Sequence, residues 1–277
     1  MVDALHALIE TLEREHALEV PERLRERIEM LDRLDALMPD EGELERRVHA
    51  IRQRLEAANA AQFEAIRAAI RRGEGGDALR RWWRAGDDLA CRAGDGYDWR
   101  DELVAGVLPF GEPVEASPLP PEMVFYQPTP ARHVFDLLDR LALDADDVLV
   151  DLGSGLGHVP LLAAICTPAR GIGIEIEPAY VASARACAQA LQLANVEFVQ
   201  GDARAADFSV GNVFHLYTPF TGSILRQVLD ALRREARRRA FRISSFGPCT
   251  AVLAAESWLA SEDAPVPDRL AIFRTRC

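Results

Sequence analysis

Apolar residues recur at helical spacing through the first third of the chain. One stripe covers residues 24–38 and a longer one covers 44–70, each with apolar positions three or four residues apart. Pro39-Asp40-Glu41-Gly42 separates the two stripes, and Asp40 with Glu43 resembles a capping box. The pattern predicts two helices joined by a short break.

These stripes predict an all-helical N-terminal domain over residues 1–92. Its role stays open between a helical hairpin packed on the rest of the chain and a module for dimerisation or substrate recruitment. Arg80-Arg81-Trp82-Trp83-Arg84 has two interpretations, a helix anchored by tryptophans with arginines reaching solvent, or a grip on an anionic or stacking ligand. Residues 93–122, rich in Gly, Pro and Asp, are predicted to form a linker or a lid.

The pattern changes near Thr129, which with Pro130 predicts the start of a helix. Beyond it, short apolar runs alternate with amphipathic segments. Strands are predicted at 148–152, 171–176, 196–200, 212–217, 240–246 and 270–274, and helices at 157–166, 178–192 and 221–239. This alternation predicts an α/β domain over residues 123–277, with a parallel sheet and helices on both faces.

The turn after the first predicted strand is rich in glycine and reads Asp151-Leu152-Gly153-Ser154-Gly155-Leu156-Gly157. Glycines there let bare backbone approach a ligand, and the following helix presents free N–H groups that suit an anion. A dinucleotide fingerprint needs its third glycine at position 158, which is His158. The spacing therefore disfavours a nicotinamide-linked dehydrogenase.

Carboxylates follow the next two strands. Glu175 lies 20 residues beyond Gly155, where a carboxylate can accept two hydrogen bonds from a ribose diol, with Glu177 as the second choice. Asp202 follows the third strand in a Gly-Asp pair that is also an ordinary turn. Ligands of such sheets bind at the carboxyl ends of the strands, so these acids are candidate binding residues.

Composition narrows the class of protein. The chain is 49% hydrophobic and 27% charged, which is typical of a globular protein, and its net charge of −12 disfavours nucleic acid as a partner. No apolar run reaches the roughly 20 residues of a membrane span, so no membrane partner and a cytoplasmic location are expected. The five cysteines are scattered, and no metal site is expected.

The D-x-G-x-G-x-G turn resembles motif I of the class I S-adenosylmethionine (SAM) methyltransferases. The resemblance implies SAM as cofactor and a Rossmann-like class I methyltransferase sheet ending in an antiparallel hairpin. It implies that the methionine part of SAM is held by the turn, with the acid near the amino group. The residues so assigned are Asp151, Gly153, Ser154, Gly155 and Gly157.

The same resemblance assigns the rest of the cofactor. Glu175 matches the ribose-binding acid, Asp202 the acid that meets the adenine amino group, and Ala203 the backbone N–H that meets the ring. Upstream, Phe125 to Pro130 resembles the segment that packs over SAM in N-methyltransferases, which makes Tyr126 and Thr129 candidate SAM contacts, with Gln127 as a further one. The alternative is a prolyl entry turn with a helix cap.

Tyr217-Thr218-Pro219-Phe220 resembles the N-P-P-F/Y motif of amino-group methyltransferases, with Tyr217 in place of Asn, Asp or Ser. Tyr217 and Phe220 are therefore the candidate catalytic residues, on the substrate side. Tyr217 can donate or accept a hydrogen bond, and Phe220 can wall the substrate cavity. His215 is expected to face neighbouring packing, with a role as a base as its alternative.

Together the motifs resemble the non-SET histone lysine methyltransferases and their bacterial relatives, over roughly residues 123–247. The resemblance implies methyl transfer from SAM to an N or O nucleophile of a protein or small molecule. The alternative is a noncatalytic SAM- or nucleoside-binding module whose helical domain recruits a partner. A homodimer formed through the N-terminal helices is a further expectation.

Overall fold

A computed structural model describes residues 2–37, 42–83, 94, 96–111, 121–261 and 263–276. Asp40 of the predicted capping box and Arg84 of the Arg/Trp cluster lie outside these ranges. The chain forms two compact units, one of Met1–Ala69 with Asp98–Leu108 and one of Ile70–Tyr97 with Pro109–Cys277. The predicted division at residues 92 and 122, and a lid between them, stay predictions.

The helical unit is built on the predicted apolar stripes. Its helices are α1 (Val2–Arg14), α2 (Leu24–Ala36), α3 (Glu43–Arg71, which ends in the other unit) and α5 (Trp99–Val107), with α4 (Gly75–Trp83) between the last two in sequence. Its core contains Ile9, Leu12, Leu34, Val48, Ile51 and Leu55. The helical character predicted for this region is confirmed.

The helical unit also buries a charge. The side chain of Arg27 is fully buried and donates from Nε to Oδ1 of Asn59 at 2.5 Å and from Nη1 to the carbonyl of Leu18 at 2.5 Å. Burial lowers the pKa of this guanidinium. Because a buried cation must be hydrogen-bonded, these contacts fix α2 against the chain before it and against α3.

The sheet unit follows the predicted alternation. Its helices are α4, α6 (Ala131–Leu141), α7 (His158–Cys166), α8 (Pro178–Ala190), α9 (Gly222–Ala236) and α10 (Cys249–Ala254). Its strands are β1 (Val148–Leu152), β2 (Arg170–Glu175), β3 (Val196–Gln200), β4 (Val213–Tyr217), β5 (Arg242–Phe246), β6 (Leu259–Ser261) and β7 (Ala271–Thr275). The predicted strands and helices lie within two or three residues of these limits.

Within the described residues the strands form one sheet in the order β3-β2-β1-β4-β5-β7-β6. The first five strands are parallel, and β7 is antiparallel to both β5 and β6. The strand order reverses between β1 and β4, so a crevice opens there at the carboxyl ends of the strands. The predicted fold class, a Rossmann-like methyltransferase sheet with a helical N-terminal region, is confirmed.

One local prediction differs from the structure, and two short elements were not placed by the pattern. Thr129 does not cap α6: the helix begins at Ala131, and the carbonyl of Pro130 accepts the first helical N–H bonds from His133 and Val134. A proline immediately before the helix sets its entry without a side-chain cap. The short elements α10 and β6 have too few residues for a periodic pattern, so the pattern did not place them, although β6 and β7 form the antiparallel pair that the family resemblance implied.

One face of the sheet packs on α9. The core there contains Phe214, Leu216, Ile243, Val228, Leu229 and Leu232, all fully buried.

Trp82, at the end of α4, is 6% exposed, whereas its neighbour Arg81 is exposed. This arrangement fits the anchoring interpretation of the tryptophan. Among the described residues no helix has the length and apolar character of a membrane span.

Candidate functional site

A cavity of about 1070 Å³ opens at the carboxyl ends of the parallel strands. It lies where the strand order reverses, which is the usual ligand site of such sheets. Its volume is at the upper end of the roughly 300–1,000 Å³ of small-molecule sites. The cavity therefore has room for a large ligand and a second reactant together.

Seven of the predicted site residues line this cavity: Tyr126, Gly153, Glu175, Asp202, Ala203, Tyr217 and Phe220. The other five are not among its lining residues: Thr129, Asp151, Ser154, Gly155 and Gly157. Of the residues named as further choices, Gln127 and Glu177 also line the cavity. The structure thus brings together residues from four strand ends and from the segment before α6.

The glycine turn is tightly covered. Gly153 has φ of +79° and a Cβ there would lie 2.2 Å from Cβ of Pro219, in the loop after β4. Gly155 has φ of +53° and its Cβ would lie 2.0 Å from the ring of Tyr126. Both positions therefore require glycine for two reasons, a left-handed backbone and close approach of another segment.

Tyr126 lies over the turn and reaches the start of α7. Its hydroxyl is 3.2 Å from Nδ1 of His158, the first residue of that helix, and its ring is 5.0 Å from the ring of Tyr180. Burial raises the pKa of Tyr126 well above its ordinary value, and burial lowers the pKa of His158 to about 4. Both groups are therefore neutral near pH 7, and the pair positions the tyrosine ring.

Two carboxyl groups lie side by side at the ends of β1 and β2. Glu175 accepts hydrogen bonds from the backbone N–H of Gly155 at 2.8 Å and of Glu177 at 2.9 Å. Asp151, near the end of β1, is 4% exposed. Burial, together with the charge of Glu175, raises the pKa of Asp151 to about 8. A cation placed here would favour the ionised form of Asp151.

Two further acids at the carboxyl ends of the strands, Asp202 and Glu177, have local partners. Asp202 accepts from the guanidinium of Arg204, with the closest contact at 2.6 Å, and that hydrogen bond is the main reason why its pKa is lowered. Glu177 caps α8 by accepting from the N–H of Ala179 at 3.2 Å. Of the two predicted ribose ligands, Glu175 is buried, whereas Glu177 is partly exposed.

The end of β4 is strained. Thr218 has φ of +38°, an uncommon conformation for a β-branched residue. Its hydroxyl donates to the carbonyl of Phe246 at 3.0 Å and accepts from the N–H of Cys249 at 3.1 Å, so the next strand end holds it in place. Strain of this kind collects at functional sites.

The strained residue directs the side chain before it. Tyr217 packs on Phe246 with ring centroids 4.7 Å apart, and its hydroxyl is 3.5 Å from Oε1 of Gln127. Phe220, two residues beyond Thr218, is 2% exposed and contributes to the cavity wall. Residues 217–220 thus place the ring of Tyr217 against Phe246 of β5 and the ring of Phe220 in the cavity wall.

The segment before α6 is tied to the loop after β4. Met123 bridges to Phe220, and the N–H of Val124 donates to the carbonyl of Pro219 at 3.1 Å. The carboxylate of Glu122 accepts from the hydroxyl of Ser223 at 2.7 Å and the N–H of Ile224 at 3.1 Å, at the start of α9. These contacts, which the sequence did not predict, position the Tyr126 segment over the cavity.

His215 does not face the cavity. It is fully buried in β4, its Nδ1 is 2.8 Å from the hydroxyl of Ser244, and its Nε2 has no partner among the described residues. Burial lowers the pKa of His215 to about 3. The packing interpretation of this residue agrees with the structure, and its role as a base does not.

The lining residues that the sequence did not predict include Gly247, Pro248, Pro267 and Asp268. Gly247 and Pro248 follow β5, so the same strand-end argument that selected Glu175 and Asp202 would have found them. Pro267 and Asp268 precede β7, an antiparallel strand whose amino end reaches this edge of the sheet. Nothing in the local sequence pattern marks these two.

Residues 143–237 match a family model described as a methyltransferase domain. An RNA methyltransferase from Salinibacter ruber, in complex with S-adenosyl-L-homocysteine, is 31% identical, with 54% of this chain and 92% of that chain covered and a TM-score of 0.44. A precorrin-6y C5,15-methyltransferase from Geobacter metallireducens is 19% identical, with 53% and 89% covered and a TM-score of 0.41.

TrmN from Thermus thermophilus is 18% identical, with 52% of this chain and 48% of that chain covered and a TM-score of 0.43. No curated protein matches the chain. The matched domain and the 31% identity across nearly the whole Salinibacter chain agree with the motifs: this chain belongs to the class I SAM-dependent methyltransferases. It is an enzyme, and its cofactor is SAM.

Proposed function

We propose that this enzyme transfers a methyl group from SAM to a nitrogen or oxygen nucleophile of a protein or small molecule, and that the predicted residues hold the cofactor in the cavity. The proposal assigns the cofactor to the part of the cavity lined by Gly153, Glu175, Glu177, Asp202 and Ala203, which we name the cofactor end. The paired carboxyl groups of Asp151 and Glu175 beside a glycine turn are the observation that carries it.

The cofactor end has the donors and acceptors that SAM requires. Each carboxylate oxygen of Glu175 accepts one hydrogen bond from a backbone N–H. Each oxygen keeps a second lone pair, which can accept a hydrogen bond from a ribose diol. Asp151 is a buried carboxyl close to the turn, suited to the positive amino group of the methionine part. The exposed apolar side chain of Ile176, which also lines the cavity, offers a face for the adenine ring.

SAM supplies an activated methyl group, so the hard chemistry belongs to the cofactor. The chain's own task is to hold the acceptor in line behind that methyl group, and such positioning contributes roughly 7–11 kcal/mol in well-oriented reactions. Tyr217 and Phe220 lie where the strand end meets the wall of the cavity, and they orient the acceptor. A neutral acceptor nitrogen or oxygen needs no dedicated base in this arrangement.

Thermal unfolding with SAM, S-adenosylhomocysteine (SAH) and NAD tests the cofactor assignment. A ligand at 100 times its dissociation constant stabilises a protein by roughly 2.7 kcal/mol, a shift of a few degrees. We expect a shift with SAM and SAH but not with NAD, and a smaller shift in Asp151→Ala. An equal shift in Asp151→Ala would remove that residue from the site, and no shift with SAM or SAH would overturn the proposal.

RNA is the acceptor in the name of the Salinibacter protein. In this chain the net charge is −12, and among the described lining residues of the cavity there is no arginine, histidine or lysine. An RNA backbone needs cations close to the active site. These observations support a protein or small-molecule acceptor here.

A further inference from the structure

The cavity continues beyond the cofactor end to a second part with different chemistry. This part, which we name the acceptor end, lies at β4, β5 and the start of β7 and is lined by Tyr217, Phe246, Gly247, Pro248, Pro267 and Asp268. Its assignment to the acceptor rests on the proposed function, because SAM bound at the cofactor end leaves this part of the cavity free for the second reactant.

The walls of the acceptor end are apolar and held in place. The rings of Tyr217 and Phe246 pack together, and two prolines, Pro248 and Pro267, also line this part of the cavity. The N–H of Gly247 donates to the carbonyl of Pro267 at 3.0 Å, which joins the loop after β5 to the loop before β7. That hydrogen bond uses a backbone group that would otherwise bind a polar ligand. The walls therefore favour a flat or aliphatic apolar body.

A single charged side chain lies among these walls. Asp268 is exposed, and among the described residues its carboxylate has no hydrogen bond or ion pair. Its backbone is fixed, because its carbonyl accepts from the N–H of Gly94 at 2.8 Å. The chain contains no lysine, and none of the residues that line the acceptor end is an arginine or a histidine. The acceptor end is thus negative and apolar.

We propose that the methyl acceptor is an amine on an apolar body, bound as its cation by the carboxylate of Asp268 and the ring of Tyr217. A carboxylate and an aromatic face are the two groups that attract an ammonium in proteins. The same walls repel a phosphate or a carboxylate. Tyr217 takes the place of the amide or acid of the N-P-P-F/Y motif, and in this site its ring face and hydroxyl replace that contact.

The reaction that follows is balanced. The bound ammonium first loses one proton to a water molecule beside the exposed carboxylate of Asp268. The neutral amine that results has a lone pair on its nitrogen. That lone pair forms the bond to the methyl carbon while the carbon–sulfur bond breaks, and its electron pair stays on sulfur. The products are a methylated ammonium and SAH. The methylated ammonium keeps its positive charge, so Asp268 binds it as it bound the acceptor.

The test compares three probes of matched shape on the full-length enzyme saturated with SAH: 2-phenylethylamine, 2-phenylethanol and phenylacetate. Calorimetric titration at pH 7.5 gives the dissociation constant of each. We expect the amine to bind about three- to fivefold more tightly than the alcohol, the range of one partly exposed ion pair, and the carboxylate to bind most weakly. In Asp268→Asn the preference for the amine over the alcohol should disappear.

Asp77→Asn is the matched control, since it removes one carboxylate from the exposed face of α4 and should leave the order of the probes unchanged. SAH affinity is measured in each protein first. Failure to bind SAH counts against the proposed function. SAH binding without a preference for the amine, a preference that survives in Asp268→Asn, or no binding of any probe overturns the amine proposal alone. Transfer of tritiated methyl from SAM to bulk transfer RNA would also overturn it.

Discussion

The cofactor end and the acceptor end of the cavity are built in unlike ways. At the cofactor end, the carboxylate of Glu175 is hydrogen-bonded to two backbone amides, and the turn beside it has glycine at positions that no other residue can take without strain. At the acceptor end, two packed rings and two prolines surround one exposed carboxylate.

The difference separates two kinds of consequence. Substitution of Glu175 or of the turn glycines removes a ligand contact and also breaks hydrogen bonds or packing that the fold needs, so cofactor affinity and stability should fall together. Substitution at the acceptor end removes an exposed charge or a hydroxyl at the limit of hydrogen-bonding distance. Such changes should alter the choice of acceptor and leave cofactor affinity and stability nearly constant.

The largest effect is expected from Gly155→Val. The substitution forces φ of +53° on a β-branched residue and places its Cβ 2.0 Å from the ring of Tyr126. The two costs together lower the free energy of unfolding by about 2–5 kcal/mol. We also expect no detectable SAH binding by calorimetry, because Tyr126 must move. Gly96→Ala, where a Cβ meets nothing within 4 Å, is the control. A Gly155→Val protein that binds SAH normally would show that the turn does not form the cofactor site.

Glu175→Ala should give the next largest effect. It removes the proposed ribose ligand, and a hydrogen bond to a charged group contributes about 1.5–3 kcal/mol, so SAH affinity should fall roughly 10- to 150-fold. It also leaves the N–H groups of Gly155 and Glu177 without their acceptor, so the melting temperature should fall as well. Glu197→Ala serves as the control. It removes an exposed carboxylate of β3 that is paired with Arg170 of β2. A loss of stability with unchanged SAH affinity would assign Glu175 a structural role only.

The raised pKa of Asp151 predicts that the free energy of unfolding depends on pH, which is a further property of the cofactor end. Its pKa is about 8 in the folded protein, against an ordinary value of 3.8 for an aspartate, so between these limits the folded state retains a proton that the unfolded chain has lost. The free energy of unfolding therefore falls as the pH rises from 4 to 8, by up to about 1.4 kcal/mol per unit from this group.

Asp151→Asn removes that titration. The stability of the variant relative to wild type should therefore increase steadily over the same pH range, as measured by urea unfolding at several pH values. Asp230→Asn, at an exposed residue of α9, should show no such trend. A constant difference between Asp151→Asn and wild type from pH 5 to 8 would mean that Asp151 is ionised in the folded protein.

The two ends also differ in how far sequence could predict them. Glu175 and Asp202 follow strands whose apolar runs are easily recognised, and a strand-end rule converts sequence position into spatial proximity. The cofactor is common to many enzymes, so its motif is shared. The sequence could not show that Tyr126 covers Gly155, because that contact joins segments separated by an entire helix and strand.

The acceptor end is less predictable for a physical reason. Asp268 comes from the turn before an antiparallel strand, and its place in the cavity depends on how β7 pairs with β5. Thr218 has a left-handed backbone that its residue type disfavours, and only the contacts to Phe246 and Cys249 explain it. Local preference is overruled there by tertiary contacts, as happens at functional sites.

The smallest effect is expected from Tyr217→Phe, and it tests the separation of the two ends directly. The hydroxyl that it removes lies 3.5 Å from Gln127, at the limit of a hydrogen bond, and the ring packing on Phe246 is retained. SAH affinity should stay within about twofold and the free energy of unfolding within about 0.5 kcal/mol of wild type. Tyr217→Ala is the informative partner, since losing the ring pair costs about 0.5–1.5 kcal/mol in addition to the buried area. If Tyr217→Phe lowered SAH affinity tenfold, the hydroxyl would contact the cofactor, and the boundary between the two ends would have to move to include β4 on the cofactor side.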